Sequence, residues 1–149
     1  MRLFLIALLF IPSSQAADSG GHAEYIGGTL ERFNAGDGGK LHTQNSSAMI
    51  FSTGKSSIGV PYERINLLEY GQNVSRRVIL ATVVSPFFLL TKARKHFLTI
   101  GYQDDRGSQQ AIVLRLDKSQ VRVLLATLEA RTGLKVTFQD EEARRAGKG

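Results

Sequence analysis

A chain of 149 residues without a single cysteine cannot form disulfides, complete a thiolate metal site or carry a lipid on an N-terminal Cys, so one hydrophobic core must hold it together. The formal charge is +6, and the excess is local. Arg76, Arg77, Lys92, Arg94 and Lys95 share one segment with no acidic residue, a patch able to attract anionic lipid, nucleic acid or an acidic protein face.

Met1-Arg2 forms a short basic start, Leu3 to Ile11 an apolar stretch, and Pro12 to Ala16 a break ending in the small residues Ser14 and Ala16. This is the pattern of a secretory signal cleaved before Ala17, and the apolar stretch is far short of the about 20 residues that cross a bilayer. The expected protein is therefore exported, periplasmic or secreted. Residues 17–24 read as a flexible linker, and the remainder of the chain suffices for one domain.

Strand patterning runs from Tyr25 to Leu116. The first candidate is Tyr25 to Phe33, followed by Asn34 to Gly39, residues that tolerate the backbone angles of a reversal. Lys40 to Gln44, Ser47 to Thr53 and Ser57 to Val60 come next, the last ending at Pro61, which cannot donate to a ladder. Arg64 to Tyr70 is the fifth. His96 to Gln103 and Ala111 to Leu116 are the clearest: Leu98, Ile100 and Tyr102 fall on one face, as do Ile112, Leu114 and Leu116, with Asp104 to Gly107 as the connecting turn.

The period then changes. Val121, Leu124, Leu125 and Leu128 recur on one helical face, Asp117 or Ser119 can cap the start, and Gly133 suits the left-handed residue past the end. The spacing predicts a helix over Lys118 to Thr132 whose apolar stripe covers the sheet. Residues 139–149, charged and small, read as a disordered tail.

Gly28-Thr29-Leu30, Gly39-Lys40-Leu41, Ile58 to Ile65, Lys95 to Tyr102 and Leu128 to Gly133 together span most of the chain. On these stretches it resembles exported bacterial proteins of unknown function that carry a PH/GRAM-like (pleckstrin-homology-like) domain. The resemblance implies a mainly β fold over residues 25–138: a PH-like seven-stranded antiparallel barrel or sandwich closed by a C-terminal α-helix, with an apolar helical insertion at about 74–95 between strands 5 and 6. These are framework residues and say little about chemistry. Phosphoinositide-binding PH domains use a basic first hairpin loop, whereas Asn34 to Gly39 holds Asp37 and no Lys or Arg, so inositide binding at the usual site is not expected.

Motifs that suggest catalysis fail on inspection. Gly54-Lys55-Ser56 ends like a phosphate-binding loop, but Met49 stands where a glycine is needed. Ser52-Thr53-Gly54-Lys55 has the Ser-x-x-Lys form without the partner motifs of penicillin-recognising enzymes. His22, His42 and His96 are scattered, so neither a metal nor a cofactor is expected. His96 reads as a half-exposed structural histidine, and Asp104-Asp105 as turn formers rather than paired acids.

The segment from Val78 to Leu90 is a predominantly apolar run, broken by Thr82 and Ser85, and lies between the basic residues already named. Ile79, Leu80, Val83, Val84, Phe87 and Phe88 project to one side of a helix, and Pro86 interrupts it, predicting two short helices with a bend or one helix and an extended piece. Such a face either lies over an edge or mouth of the sheet as additional core, or docks on a membrane surface or another protein. Nucleic acid is a poor fit, because stacking aromatics would have to alternate with the basic groups, and Phe87-Phe88 sit inside the apolar run.

Two functions are compatible with these features. The first is a non-catalytic envelope binding or scaffolding module that contacts a protein or anionic membrane through Arg76, Arg77, Phe87, Phe88, Lys92, Arg94 and Lys95. The second is a small periplasmic ligand carrier or enzyme with a pocket in the barrel, marked by a cavity with converging polar side chains.

Overall fold

The computed structural model describes residues 20–73, 83–84 and 95–148. Among them the strands are β1 (Gly21–Gly28), β2 (Gly38–His42), β3 (Ala48–Thr53), β4 (Ser57–Pro61), β5 (Ile65–Gly71), β6 (Val83–Val84), β7 (His96–Gln103), β8 (Gln109–Leu116) and β9 (Thr137–Phe138). The helices are α1 (Val121–Thr132) and α2 (Glu141–Lys148), with 3-10 turns at Tyr62–Arg64 and Lys118–Gln120. The protein is mainly β: one mostly antiparallel sheet in the order β4-β3-β2-β1-β8-β7-β5-β9, with β6 paired to β1 and a helical C-terminal region.

The sheet is two antiparallel meanders joined through β1. Residues 21–24 of β1 pair with β2, while residues 23–28 pair with β8 and Gly27–Gly28 also pair with β6. A bulge between Tyr25 and Gly27 interrupts the β8 register, and bulges bend and twist the strand that carries them. The inward faces meet in one cluster, in which Tyr25, Phe51, Leu98, Ile100, Ile112 and Leu114 pack with Val121, Leu124, Leu125 and Leu128 of α1. The anticipated helical stripe is thus buried in full. Gly133 ends α1 at φ +73, its N–H donating to the Glu129 carbonyl at 2.9 Å.

Several expectations need correction. Among the described residues the sheet does not close into a barrel: β4 ends one side of the strand order and β9, beside β5, the other, and β4 and β5 are joined by the Tyr62–Arg64 turn without pairing. The main path has eight strands rather than seven, because β9 adds in parallel to β5. The linker expected at 17–24 runs into β1, which begins at Gly21; ladder bonds to β2 and β8 on its two edges outweigh the low strand propensity of glycine. The first strand also ends early. Gly28 has φ +146, and a Cβ there would sit 2.2 Å from the Ala111 carbonyl oxygen, so only glycine allows the chain to leave the sheet at this point. Leu30 to Phe33 consequently belong to the β1–β2 loop, with Phe33 tucked against Tyr25 and Phe51 at ring separations of 5.4 and 5.3 Å.

Neither Asp117 nor Ser119 caps α1 with its side chain; the Lys118–Gln120 turn leads into the helix instead. The expected disordered tail contains α2. Asp140 accepts the Ala143 N–H at 2.7 Å, and Ala143 and Gly147 are buried. Gly147 lies so close to Phe138 that a Cβ would approach its ring to 2.5 Å.

Candidate functional site

A cleft of about 920 Å³ opens at the end of β7 distant from His96. Its walls come from the β1–β2 loop (Thr29 to Arg32), the β4 strand, Arg64, and the β7–β8 hairpin from Tyr102 to Arg106. Each wall is fixed by hydrogen bonds. Tyr25 donates its hydroxyl to the Leu30 carbonyl at 3.4 Å, and Asp37 accepts the Asn34 N–H at 2.8 Å. Asp104 accepts the Arg106 and Ser108 N–H groups at 2.9 and 2.8 Å and the Gln110 side-chain amide at 2.9 Å. Gln110 in turn accepts the Thr29 hydroxyl, and Arg64 pairs with Asp105.

One wall is a strand edge. Thr53 N donates to Ser56 O at 2.8 Å and Tyr62 N to Ser47 O at 3.0 Å, which fixes which antiparallel pairs of β3 and β4 exchange bonds. By the alternation of such pairs, the backbone groups of Ser57, Gly59 and Pro61 turn away from β3. Among the described residues no strand pairs with that edge. Arg32 reaches it, donating to the Ser57 carbonyl at 3.4 Å.

The charges in the cleft balance, with Arg32, Arg64 and Arg106 set against Glu31, Asp104 and Asp105. The Ser108 N–H, with help from Gln110 and Arg106, holds the Asp104 carboxyl below the usual carboxylate range. Tyr102 is only 5% exposed. Burial raises its pKa and the Asp104 charge adds to that, while the Arg32 guanidinium acts in the opposite sense.

Of the contact residues expected from the sequence, Arg76, Arg77, Phe87, Phe88, Lys92 and Arg94 lie outside the described residues, as does the helical form expected of their segment. Lys95 is half-buried immediately before β7, and Val83–Val84 pair with β1 at Gly27 and Gly28. On the outward face of the sheet, Ile26, Phe97, Thr99 and Val113 are buried yet stand outside the main core cluster. The reading of the first hairpin loop also changes: it spans Thr29 to Asp37 and holds one cation, Arg32, beside Glu31.

The histidines occupy three separate settings. His22 lies 3.7 Å from Asp117, His42 lies 3.3 Å from the Ser52 hydroxyl on the face opposite Phe51, and His96 bonds through Nδ1 with the Tyr70 hydroxyl. Gly54-Lys55-Ser56 is a hairpin turn, the Thr53 hydroxyl accepting the Lys55 and Ser56 N–H groups at 3.3 and 3.1 Å. Burial pushes the Tyr70 phenol up to about 12 and, together with the Lys118 charge, lowers the His96 pKa. The folded value of His96 thus lies below its unfolded value of 6.5, so the unfolded chain takes up the proton first as pH falls. The His96 contribution to stability is complete above that pH and is lost as pH drops below it. Melting curves collected from about pH 7 down to about pH 5 should show this decline, and His96→Gln should flatten it; parallel curves for the two proteins would refute the assignment.

Sequence reasoning missed the cleft because Arg32, Gly59 and Tyr102 are far apart in the chain, and Tyr102 reads as a core residue from its alternation. No helix among the described residues is long and apolar enough to cross a membrane. No protein-family model matches the chain, and no curated protein is significantly similar to it.

Proposed function

We propose that this chain is an exported, non-catalytic binding module with a PH-like arrangement, and that it holds its ligand in the cleft between the β1–β2 loop, β4 and the β7–β8 hairpin. The strand order supports the PH-like reading: two meanders share β1, and a helix from the C-terminal region seats four apolar side chains on the core. The observation that carries the binding reading is the cleft itself, where polar side chains from four separated segments converge on an opening of about 920 Å³, as small-molecule sites do. Screening neutral and charged fragments by NMR should move resonances of Thr29 to Arg32, Gly59 and Tyr102 to Arg106. Shifts confined to another face, or none with any fragment, would refute the reading. Processing before Ala17 would be read directly by N-terminal sequencing of the protein recovered from outside the cytoplasm, and an intact Met1 in the cytosol would contradict export.

A second reading places the contact on the basic and apolar segment, against an acidic protein or an anionic membrane. Its support is the cluster of five cations in one short stretch and the attachment of Val83–Val84 to β1, which ties the segment to the domain. Under this reading Phe87→Ser with Phe88→Ser, or Arg94→Glu with Lys95→Glu, weakens binding to phosphatidylglycerol vesicles or to the acidic partner and leaves the melting temperature unchanged. If the segment is core, the Phe substitutions cost several kcal/mol each and the charge reversals almost nothing. Vesicle binding should also fade as the screening length shrinks from about 10 Å at 0.1 M salt to about 3 Å at 1 M.

A further inference from the structure

We infer that the cleft recognises a carboxylate, held by the Arg32 guanidinium and the Tyr102 hydroxyl with the Gly59 N–H as a third donor; the inference rests on the cleft being the ligand site. Tyr102 is the starting point. Its side chain is more than nine-tenths buried and lines the cleft, yet its hydroxyl has no hydrogen-bond partner among the described residues. No buried side-chain nitrogen or oxygen among the described residues lacks a hydrogen-bond partner, so this unpaired hydroxyl is the part of the side chain that reaches the cleft surface, where an external acceptor can meet it. Its raised pKa keeps it protonated and able to donate.

Arg32 supplies the charge. Among the described residues its guanidinium makes one long bond, 3.4 Å to the Ser57 carbonyl, which leaves most of its five N–H donors for a ligand. Gly59 presents its N–H on the unpaired edge of β4, in the wall that Arg32 reaches. A guanidinium beside a hydroxyl matches the two oxygens of one carboxylate. A phosphate dianion wants more cations than the cleft can spare, since Arg64 is engaged by Asp105, Arg106 acts on Asp104, and Glu31 and Asp104 add negative charge to the lining. The neutral sum of the lining therefore favours a singly charged group. It could be borne by a free organic acid or by the end of an extended peptide, for which the β4 edge offers main-chain bonds.

The test uses the isotope-labelled protein and four probes: benzoate, an acetylated tripeptide with a free C-terminus, the same tripeptide as its C-terminal amide, and inorganic phosphate. The expected result is that benzoate or the free-acid peptide moves the Arg32, Gly59 and Tyr102 resonances, with the amide and phosphate at least about tenfold weaker. The tighter of the two acids identifies the source. Arg32→Gln and Tyr102→Phe should each weaken the acid about tenfold, and Tyr102→Phe should leave the melting temperature unchanged, because it removes an unpaired hydroxyl. Equal binding of acid and amide would overturn the carboxylate assignment while leaving the cleft as a ligand site. Tighter phosphate binding, acid binding indifferent to both substitutions, or no binding of any probe would likewise overturn it. In the last case the neutral-fragment screen decides whether the cleft reading falls as well.

Discussion

Leu125→Asp is expected to abolish cooperative unfolding. Leu125 is 3% exposed and sits with Val121, Leu124 and Leu128 where α1 meets the sheet. A carboxylate placed there leaves water for a mainly apolar setting and costs several kcal/mol, comparable with the roughly 5 to 15 kcal/mol by which a whole domain is stable. Leu128→Ala is the graded companion. Leu128 is fully buried, so truncation should cost about 2 to 5 kcal/mol through lost transfer energy and a residual cavity. Urea unfolding followed by far-ultraviolet circular dichroism distinguishes the cases: a broad, non-cooperative loss of signal for Leu125→Asp and a shifted sharp transition for Leu128→Ala. Wild-type curves from both variants would mean that α1 does not hold the sheet.

Ala143→Asp tests the C-terminal helix in the same way. Ala143 has no exposed surface, and α2 rests against α1 and Phe138. Introducing a larger, charged side chain should combine overpacking with burial of an unpaired charge, and should lower stability by about 2 to 4 kcal/mol. Arg144→Ala, on the exposed side of the same helix, removes only a surface ion pair with Glu141 and should change stability by less than about 1 kcal/mol. A disordered terminus would respond to neither substitution, so the contrast between the two is the diagnostic measurement.

The elements legible in the sequence are those whose residues are arranged by one dominant force. β7 is legible to its ends because Leu98, Ile100 and Tyr102 alternate cleanly, and α1 because its stripe has helical spacing. Legibility fails where tertiary contacts outweigh local pattern. β1 contains glycines at Gly21, Gly27 and Gly28 that owe their strand form to neighbours on both edges, and α2 buries an alanine and a glycine too small to register as an apolar face. Asp140 as an N-cap, with Ala143, Ala146 and Gly147 at helical spacing, is the signal that could have revealed α2. The cleft is less legible still. Its donors come from a loop whose start depends on a glycine at an unusual φ, from the edge of a strand, and from the last inward residue of another. Only the fold brings them together, and no local run of residues announces the site.

The sharing of β1 between the two meanders also governs when this protein can become itself. Tyr25 is matched with Leu114, so the seam of the sheet joins the first strand of the domain to one formed near its end. During synthesis the opening strand must wait, one edge unsatisfied, until the residues of β8 have emerged. Loop closure over that distance is entropically costly and slow. Until then, the ladder groups that β8 will occupy offer a template to any passing extended segment. The open edge of residues 21–28 therefore belongs to the incomplete chain, and a holdase that shelters it would act on that state rather than on the finished fold.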